Sequence, residues 1–106
     1  MGRQMVKRIK HHATYLWQEV NRIPVYRIQT NDQRIARKLS KREKTKLCVV
    51  GLNAPFWVFQ IKYSSPRKAV MGLSNITGEG VQELPDLGVF VSYTLPYMDT
   101  KREGVI

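Results

Sequence analysis

Residues 56–78 read FWVFQIKYSSPRKAVMGLSNITG, and the first half of this stretch has the pattern of a β-strand. Every second position from 57 to 63 holds a large apolar or aromatic residue, which places these side chains on one face of a strand. The residues expected in the core are Trp57, Phe59, Ile61 and Tyr63. The opposite face of the strand would carry Phe56, Val58, Gln60 and Lys62.

The second half of this stretch predicts an α-helix that ends at Gly78. Ser65 suits the N-cap because its hydroxyl can accept a hydrogen bond from a free backbone N–H, and Pro66 suits the first helical position. Glycine is the residue most often found where a helix ends in the left-handed conformation. Between these ends, apolar residues recur at helical spacing: Ala69, Val70, Leu73 and Ile76.

Upstream, the pattern predicts two more strands with a helix between them. Residues 25–30 alternate with a period of two, as in a half-buried strand. Thr30 and Gln33 form a capping-box pattern, which predicts a helix over 31–43. Residues 46–52 are apolar almost throughout, and such a run is typical of a central strand that is covered on both faces.

The two ends of the chain have weaker patterns. Glycine, proline and acidic residues predict an acidic loop over 77–88, and residues 89–95 predict the last strand. Near the N-terminus, apolar residues at helical spacing predict an amphipathic helix over about 5–20. Residues 14–20 also fit a strand that enters a hairpin, and the pattern leaves both alternatives open.

The order of these elements predicts an α+β fold. After the extra N-terminal amphipathic helix, the order is β-α-β-β-α-β, as in the ferredoxin-like fold, an antiparallel sheet with two helices on one face. A chain of 106 residues is too short for two domains with separate cores. We therefore expect a basic N-terminal arm or helix start over 1–12, one α+β domain over 13–96, and a flexible tail over 97–106.

The octamer 56–63 lies where the RNA recognition motif family keeps an aromatic octamer, just before its second helix. In this respect the chain resembles that family, whose open sheet face binds single-stranded RNA. The family places aromatic side chains at the third and fifth octamer positions, and these positions are Val58 and Gln60 here. The resemblance therefore covers the order of the elements and not the binding residues.

The charge of the chain indicates a polyanionic partner. Eighteen Lys and Arg residues against eight acidic residues give a formal net charge of +10 at pH 7. Such an excess attracts nucleic acids over several ångströms and speeds their capture. Around the predicted helix 31–43 the basic residues occupy most of the circumference, and acidic partners at i,i+4 are nearly absent.

We therefore expect a non-catalytic protein that binds RNA or DNA, with a basic helix and the N-terminal arm holding phosphates. Phe56 could stack on a base, and the open sheet face would add polar contacts. The predicted nucleic-acid-binding residues are Arg3, Lys7, Arg8, Lys10, Arg27, Arg34, Arg37, Lys38, Lys41, Arg42, Lys44, Phe56 and Lys62.

The alternative is a small protein–protein interaction or inhibitor protein, of the kind encoded by phages and mobile elements. Such a protein would target a nucleic-acid-processing enzyme or an acidic partner. A homodimer formed through a sheet edge or the N-terminal helix also fits the apolar pattern. Competition between a protein partner and nucleic acid would separate this function from nucleic-acid binding.

Other function classes have little support in the sequence. Catalysis would need converging carboxylates or a nucleophile beside a base, but the acidic residues are scattered. One cysteine and the adjacent pair His11–His12 lack the spacing of a metal site, so we expect no metal and no cofactor. No apolar run approaches a membrane span, and the single Cys48 fits a reducing, cytoplasmic location.

Overall fold

The computed structural model describes residues 11–20, 22–42 and 44–95. These residues form a single small α+β domain with a six-stranded antiparallel sheet and two helices. In chain order the elements are β1 (His12–Gln18), β2 (Val25–Thr30), α1 (Gln33–Ser40), β3 (Lys46–Val50), β4 (Trp57–Lys62), α2 (Pro66–Thr77), β5 (Gln82–Leu84) and β6 (Val89–Thr94).

The sheet consists of three antiparallel hairpins, β1–β2, β3–β4 and β5–β6, which the two helices connect. Its strand order is β3-β4-β2-β1-β6-β5. The prediction of a ferredoxin-like order was wrong. In that fold the first and last strands of the βαββαβ unit are neighbours, whereas here β1 lies between β2 and β6 and pairs with both. The short β5 adds an edge strand within the stretch expected to be an acidic loop.

The predicted N-terminal helix was also wrong where the structure describes the chain. Residues 12–18 form β1, which agrees with the alternative of a strand entering a hairpin. Leu16 is fully buried, while its neighbour Trp17 lies half-buried on the other side of the sheet. In a helix these two residues would share a face, but pairing with strands on both sides stabilises the extended form. The start of the predicted helix, 5–10, lies outside the described residues.

Strand β3 was expected to be a covered central strand, and this prediction was wrong. It lies at one edge of the sheet, and all five of its residues are exposed. The core-facing residues of α1 belong to the cluster around β2 and β4, so the helix layer leaves β3 open. The register of its pairing with β4 shifts between Leu47 and Val49, which marks a bulge at this edge.

The core lies between the two helices and one face of the sheet. Ile35, Ala36 and Leu39 of α1 and Ala69, Leu73 and Ile76 of α2 supply the helical side of this layer. The sheet contributes Leu16, Tyr26, Ile28, Phe59 and Ile61. The helices thus occupy one face of the sheet, as predicted, and we call the opposite surface the open face.

Helix α2 agrees with the prediction at both ends. The Ser65 hydroxyl accepts a hydrogen bond from the Lys68 backbone N–H, and Pro66 is the first helical residue. Gly78 ends the helix in the left-handed conformation, with a φ of 75°. Glycine adopts this φ without steric cost, so the sequence signal and the structure coincide here.

Helix α1 begins two residues later than the capping-box pattern indicated. Its N-cap is Asp32, whose carboxylate accepts a hydrogen bond from the Arg34 backbone N–H at 2.9 Å. Thr30 instead ends β2, where its hydroxyl lies 2.8 Å from the Thr14 hydroxyl and accepts a bond from the Asp32 N–H. Thr30, the predicted cap residue, therefore bonds to the actual N-cap Asp32 from its position at the end of β2.

Asp32 is 1% exposed and connects the start of α1 with the far end of the chain. Its Oδ2 accepts hydrogen bonds from the Thr94 hydroxyl of β6 at 2.7 Å and from Arg34 Nη2 at 2.9 Å. Burial by itself would raise the pKa of the Asp32 carboxyl. Hydrogen bonds from Arg34 and Thr94 and the charge of Arg34 outweigh burial and lower that pKa below 3.8.

The Asp32 carboxylate should make the stability of the fold depend on pH in the acid range. Because its pKa is lower in the folded state, its contribution is present above about pH 4 and lost as pH falls through the folded value. Asp32→Asn keeps a good N-cap but removes the charge, so we expect it to lower the unfolding free energy at pH 7 by about 1–3 kcal/mol. Urea denaturation at pH 7 and pH 3 measures both effects, and the loss should shrink at pH 3.

Asp86→Asn is the matched control because Asp86 lies exposed in the β5–β6 turn. It should change stability by less than about 0.5 kcal/mol at either pH. Equal effects of the two substitutions at pH 7 would show that the Asp32 network does not stabilise the fold.

Gly72 permits the close contact between α2 and Tyr63. A Cβ at position 72 would lie 2.6 Å from Tyr63 Cζ, which is too close, and the half-buried Tyr63 ring packs edge-on against Tyr26, with ring centroids 5.8 Å apart. We expect Gly72→Ala to destabilise the protein by about 1–3 kcal/mol despite the better helix propensity of alanine. Gly80→Ala is the control, since a Cβ there has no neighbour within 4 Å. Thermal denaturation of both variants tests the contact, and equal melting temperatures would contradict it.

Candidate nucleic-acid interface

Five cationic side chains lie exposed on the outer side of α1 and the segment after it. We call this group the α1 basic cluster, and its members are Arg37, Lys38, Lys41, Arg42 and Lys44. The buried residues of α1 are spaced at three and four positions, so they turn the remaining circumference of the helix toward solvent. The cluster therefore follows directly from the narrow apolar stripe of α1.

Within the described part of the chain, no carboxylate forms an ion pair with the α1 basic cluster. Lys38 donates a hydrogen bond to the Ile76 carbonyl of α2 at 3.3 Å, which joins the ends of the two helices. Arg37 and Lys38 also lie in the last turn of α1, where positive charge is favourable for the helix dipole. That effect accounts for the position of two of the five cations.

Arg34 differs from the cluster because its guanidinium bonds within the protein. Its Nε and Nη2 bind the two oxygens of Asp32 at 3.1 and 2.9 Å, and Nη2 also donates to the Leu95 carbonyl at 2.5 Å. The fork of Arg34 therefore positions the start of α1 against the end of β6. This residue was predicted to bind nucleic acid, and the structure gives it a structural role in the free protein.

A groove of about 250 Å³ runs between α1 and the start of β4, and we call it the Trp57 groove. Trp57 is half-buried and forms one wall, while Arg37 and Lys41 stand on the α1 side, one helical turn apart. The remaining lining residues are Gln33, Ala36 and Ser40. The groove thus combines an aromatic surface with two members of the α1 basic cluster. The sequence predicted Trp57 as a core residue. Nothing in the alternating pattern of residues 57–63 indicated that its side chain would be only half-buried.

The open face carries the second group of predicted residues. Arg27 of β2 is opposite Gln60 of β4, and Lys62 is opposite Val25, so both cations lie on this face. Arg27 Nε forms an ion pair with the Glu19 carboxylate at 2.9 Å, with side chains 25% and 41% exposed. Because both side chains remain accessible to water, this pair contributes little to stability and can exchange partners.

Three aromatic side chains on the open face were missed by the sequence analysis. The register between β1 and β6 places Tyr15 opposite Val91, and Tyr93 opposite Ala13. Trp17 follows two residues after Tyr15 and is the cross-strand partner of Arg27. Tyr15 and Trp17 alternate with a period of two, but this signal was hidden by the helical spacing of the same segment.

The remaining predicted residues have other positions. Phe56 is half-buried at the β3–β4 hairpin, where its ring would collide with a Cβ at Gly51, and its carbonyl accepts a bond from the Gly51 N–H at 2.8 Å. Its ring therefore packs on the hairpin backbone. The residues of the predicted N-terminal arm lie outside the described residues: Arg3, Lys7, Arg8 and Lys10.

The structure does not bring all the predicted cations to one surface. The α1 basic cluster lies in the helix layer, whereas Arg27 and Lys62 lie on the open face, on the other side of the sheet. Sequence reasoning could not separate these groups, because the face to which each strand residue points depends on the register. The chain therefore has two candidate interfaces, one basic and one aromatic with flanking cations.

Acidic side chains do not form a metal site in the described ranges. No group of three or more His, Cys, Asp and Glu side chains there could hold a metal ion. Asp32 is bonded to Arg34 and Thr94, and Glu19 is paired with Arg27.

Neither helix in the part of the chain that the structure describes has the length and apolar character needed to cross a membrane.

The chain was compared with protein families, curated proteins and solved structures. No family model, no curated protein and no solved structure matches the chain. The observations that bear on function are therefore the geometry and charge of the two candidate interfaces, the α1 basic cluster and the open face.

Proposed function

We propose that this protein binds nucleic acid without catalysing a reaction, and that the α1 basic cluster is its main phosphate-binding surface. One observation carries the proposal: five exposed cations lie together without a carboxylate partner among the described residues. A group of like charges raises the energy of the free protein through repulsion. A phosphate backbone relieves that repulsion and releases its own counterions.

The formal net charge of +10 supports this proposal on the scale of the whole chain. A field of this size speeds the capture of any polyanion, and the local cluster then decides where it docks. Because contacts to phosphates carry no sequence information directly, the α1 basic cluster should bind with little sequence preference. The predicted arm residues Arg3, Lys7, Arg8 and Lys10 would add further phosphate contacts.

Removal of two cluster charges should weaken nucleic-acid binding and its dependence on salt. We expect Arg37→Ala/Lys41→Ala to lower affinity for DNA and RNA and to reduce the slope of log affinity against log salt by about 1.5, since each lost phosphate contact contributes about 0.7–0.9. Fluorescence anisotropy with labelled oligonucleotides over a salt series measures both quantities.

The charge-matched control is Arg67→Ala/Lys68→Ala, which removes two exposed cations from the first turn of α2. It changes the net charge equally, so a smaller effect would locate the contacts on α1. If the two double variants reduced affinity and salt dependence equally, binding would be explained by net charge alone and not by contacts on α1. Absence of binding by the unchanged protein at low salt would overturn the proposal.

A protein partner is the second candidate function, and the exposed edge strand β3 favours it. Leu47, Val49 and Val50 are 47%, 45% and 48% exposed, although strands with free edges are usually protected by charge or covered. A strand of another protein could pair with this edge through its main chain and bury these side chains. The flanking Lys44 and Lys46 would favour an acidic partner.

The simplest partner to test is a second copy of the chain. If β3 pairs with itself, light scattering after gel filtration should show a dimer at high concentration. Val49→Lys should then shift the protein to the monomer, because a charge would be buried in the interface. Leu87→Lys is the control at an apolar residue that is 71% exposed in the β5–β6 turn. A monomer at all concentrations would exclude this dimer.

A further inference from the structure

The Trp57 groove places an aromatic ring beside the α1 basic cluster, and this arrangement suggests more than phosphate binding. Trp57 packs partly against the core, so its ring is held in place rather than free to rotate in solvent. Its cross-strand partner Val50 is 48% exposed and extends the apolar surface toward the edge of the sheet. The result is a fixed apolar surface with cations along one side.

The volume and lining of the groove suit one flat ring better than a whole ligand. Sites that enclose a whole ligand are commonly about 300–1,000 Å³, and this groove is smaller, at about 250 Å³. Arg37 and Lys41 are exposed at its rim, where they can hold phosphates in solvent. Gln33 and Ser40 are also at the rim and can form hydrogen bonds with the edge of a base.

We propose that the Trp57 groove takes one unpaired base, which stacks on Trp57 while Arg37 and Lys41 hold the adjacent phosphates. This inference rests on the proposed function and names its ligand class as single-stranded nucleic acid. Within a duplex, both faces of every interior base are covered by its neighbours, so such a base cannot stack on Trp57 without leaving the helix. Single strands have bases that are free to stack on aromatic side chains.

Stacking is tolerant of sequence because every base has a π-face. The groove should therefore accept oligothymidylate and oligouridylate alike, and its preference is for the unpaired state rather than for one sugar. Phosphate contacts from the α1 basic cluster remain open to duplexes as well. Single strands should consequently bind more tightly than duplexes of the same length, and only single strands should perturb Trp57.

The test uses the unchanged protein and the indole N–H signals of its two tryptophans, Trp17 and Trp57. Nitrogen–proton correlation spectra of the protein and of Trp57→Phe assign the two signals. Oligothymidylate, oligouridylate and a two-stranded duplex without loops or overhangs are then added in turn at low salt. We expect the Trp57 signal to shift with both single strands and to stay in place with the duplex.

Anisotropy with Trp57 variants gives an independent measure of the same contact. Trp57→Leu should reduce single-strand affinity about 5- to 100-fold and leave duplex affinity within about twofold. Trp57→Phe keeps an aromatic ring and should stay within about fivefold of the unchanged protein. Circular dichroism shows whether each variant is folded. The indole spectra are recorded on the unchanged protein, so that test does not depend on the folding of Trp57→Leu.

The outcomes separate this inference from the proposed function. Binding in which Trp57 does not shift, or in which single strands and duplexes bind equally, would overturn the stacking groove and leave the phosphate surface intact. A shift of Trp17 alone would place the stacking on the open face and also overturn it. If none of the three ligands binds at all, the proposed function itself fails.

Discussion

The buried carboxylate of Asp32 is the interaction on which the arrangement of this domain depends. It caps α1, binds the guanidinium of Arg34 and accepts a hydrogen bond from Thr94, which lies 62 residues away. An unpaired charge at this depth would cost several kcal/mol, so the carboxylate is tolerated only because all these donors converge on it. Contacts with Thr30 and Thr94 join the start of α1 to β2 and β6, and the buried stripe of α1 then turns the α1 basic cluster toward solvent.

The three-hairpin sheet then decides how the functional side chains are distributed. Insertion of β1 between β2 and β6 gives the sheet a wide open face with Tyr15, Trp17 and Tyr93, while both helices cover the other face. The strand β3 lies beyond the reach of the helix layer, which leaves Trp57 half-exposed beside α1. The α1 basic cluster therefore meets an aromatic ring in the Trp57 groove, while the open face combines its own aromatic side chains with Arg27 and Lys62.

Prediction from the sequence worked where the signal was local. The ends of α2 followed from Ser65, Pro66 and Gly78, because capping depends on backbone geometry within one turn. It failed at 12–18 and at 46–50, where the same apolar pattern suits two structures. A run of apolar residues does not show whether a strand is central or at an edge, and Leu16 with Trp17 fits a helix as well as a strand.

By itself, the sequence determined the α+β class, the two helices, the strong positive charge and the cations around α1, since composition and local periodicity carry these properties. The strand order, the edge position of β3 and the meeting of Trp57 with Arg37 and Lys41 were decided only by the tertiary structure. The physical reason is that strand pairing joins residues far apart in the chain. The register of strand pairing then determines the face of the sheet on which each side chain lies, and a local sequence pattern does not specify that register.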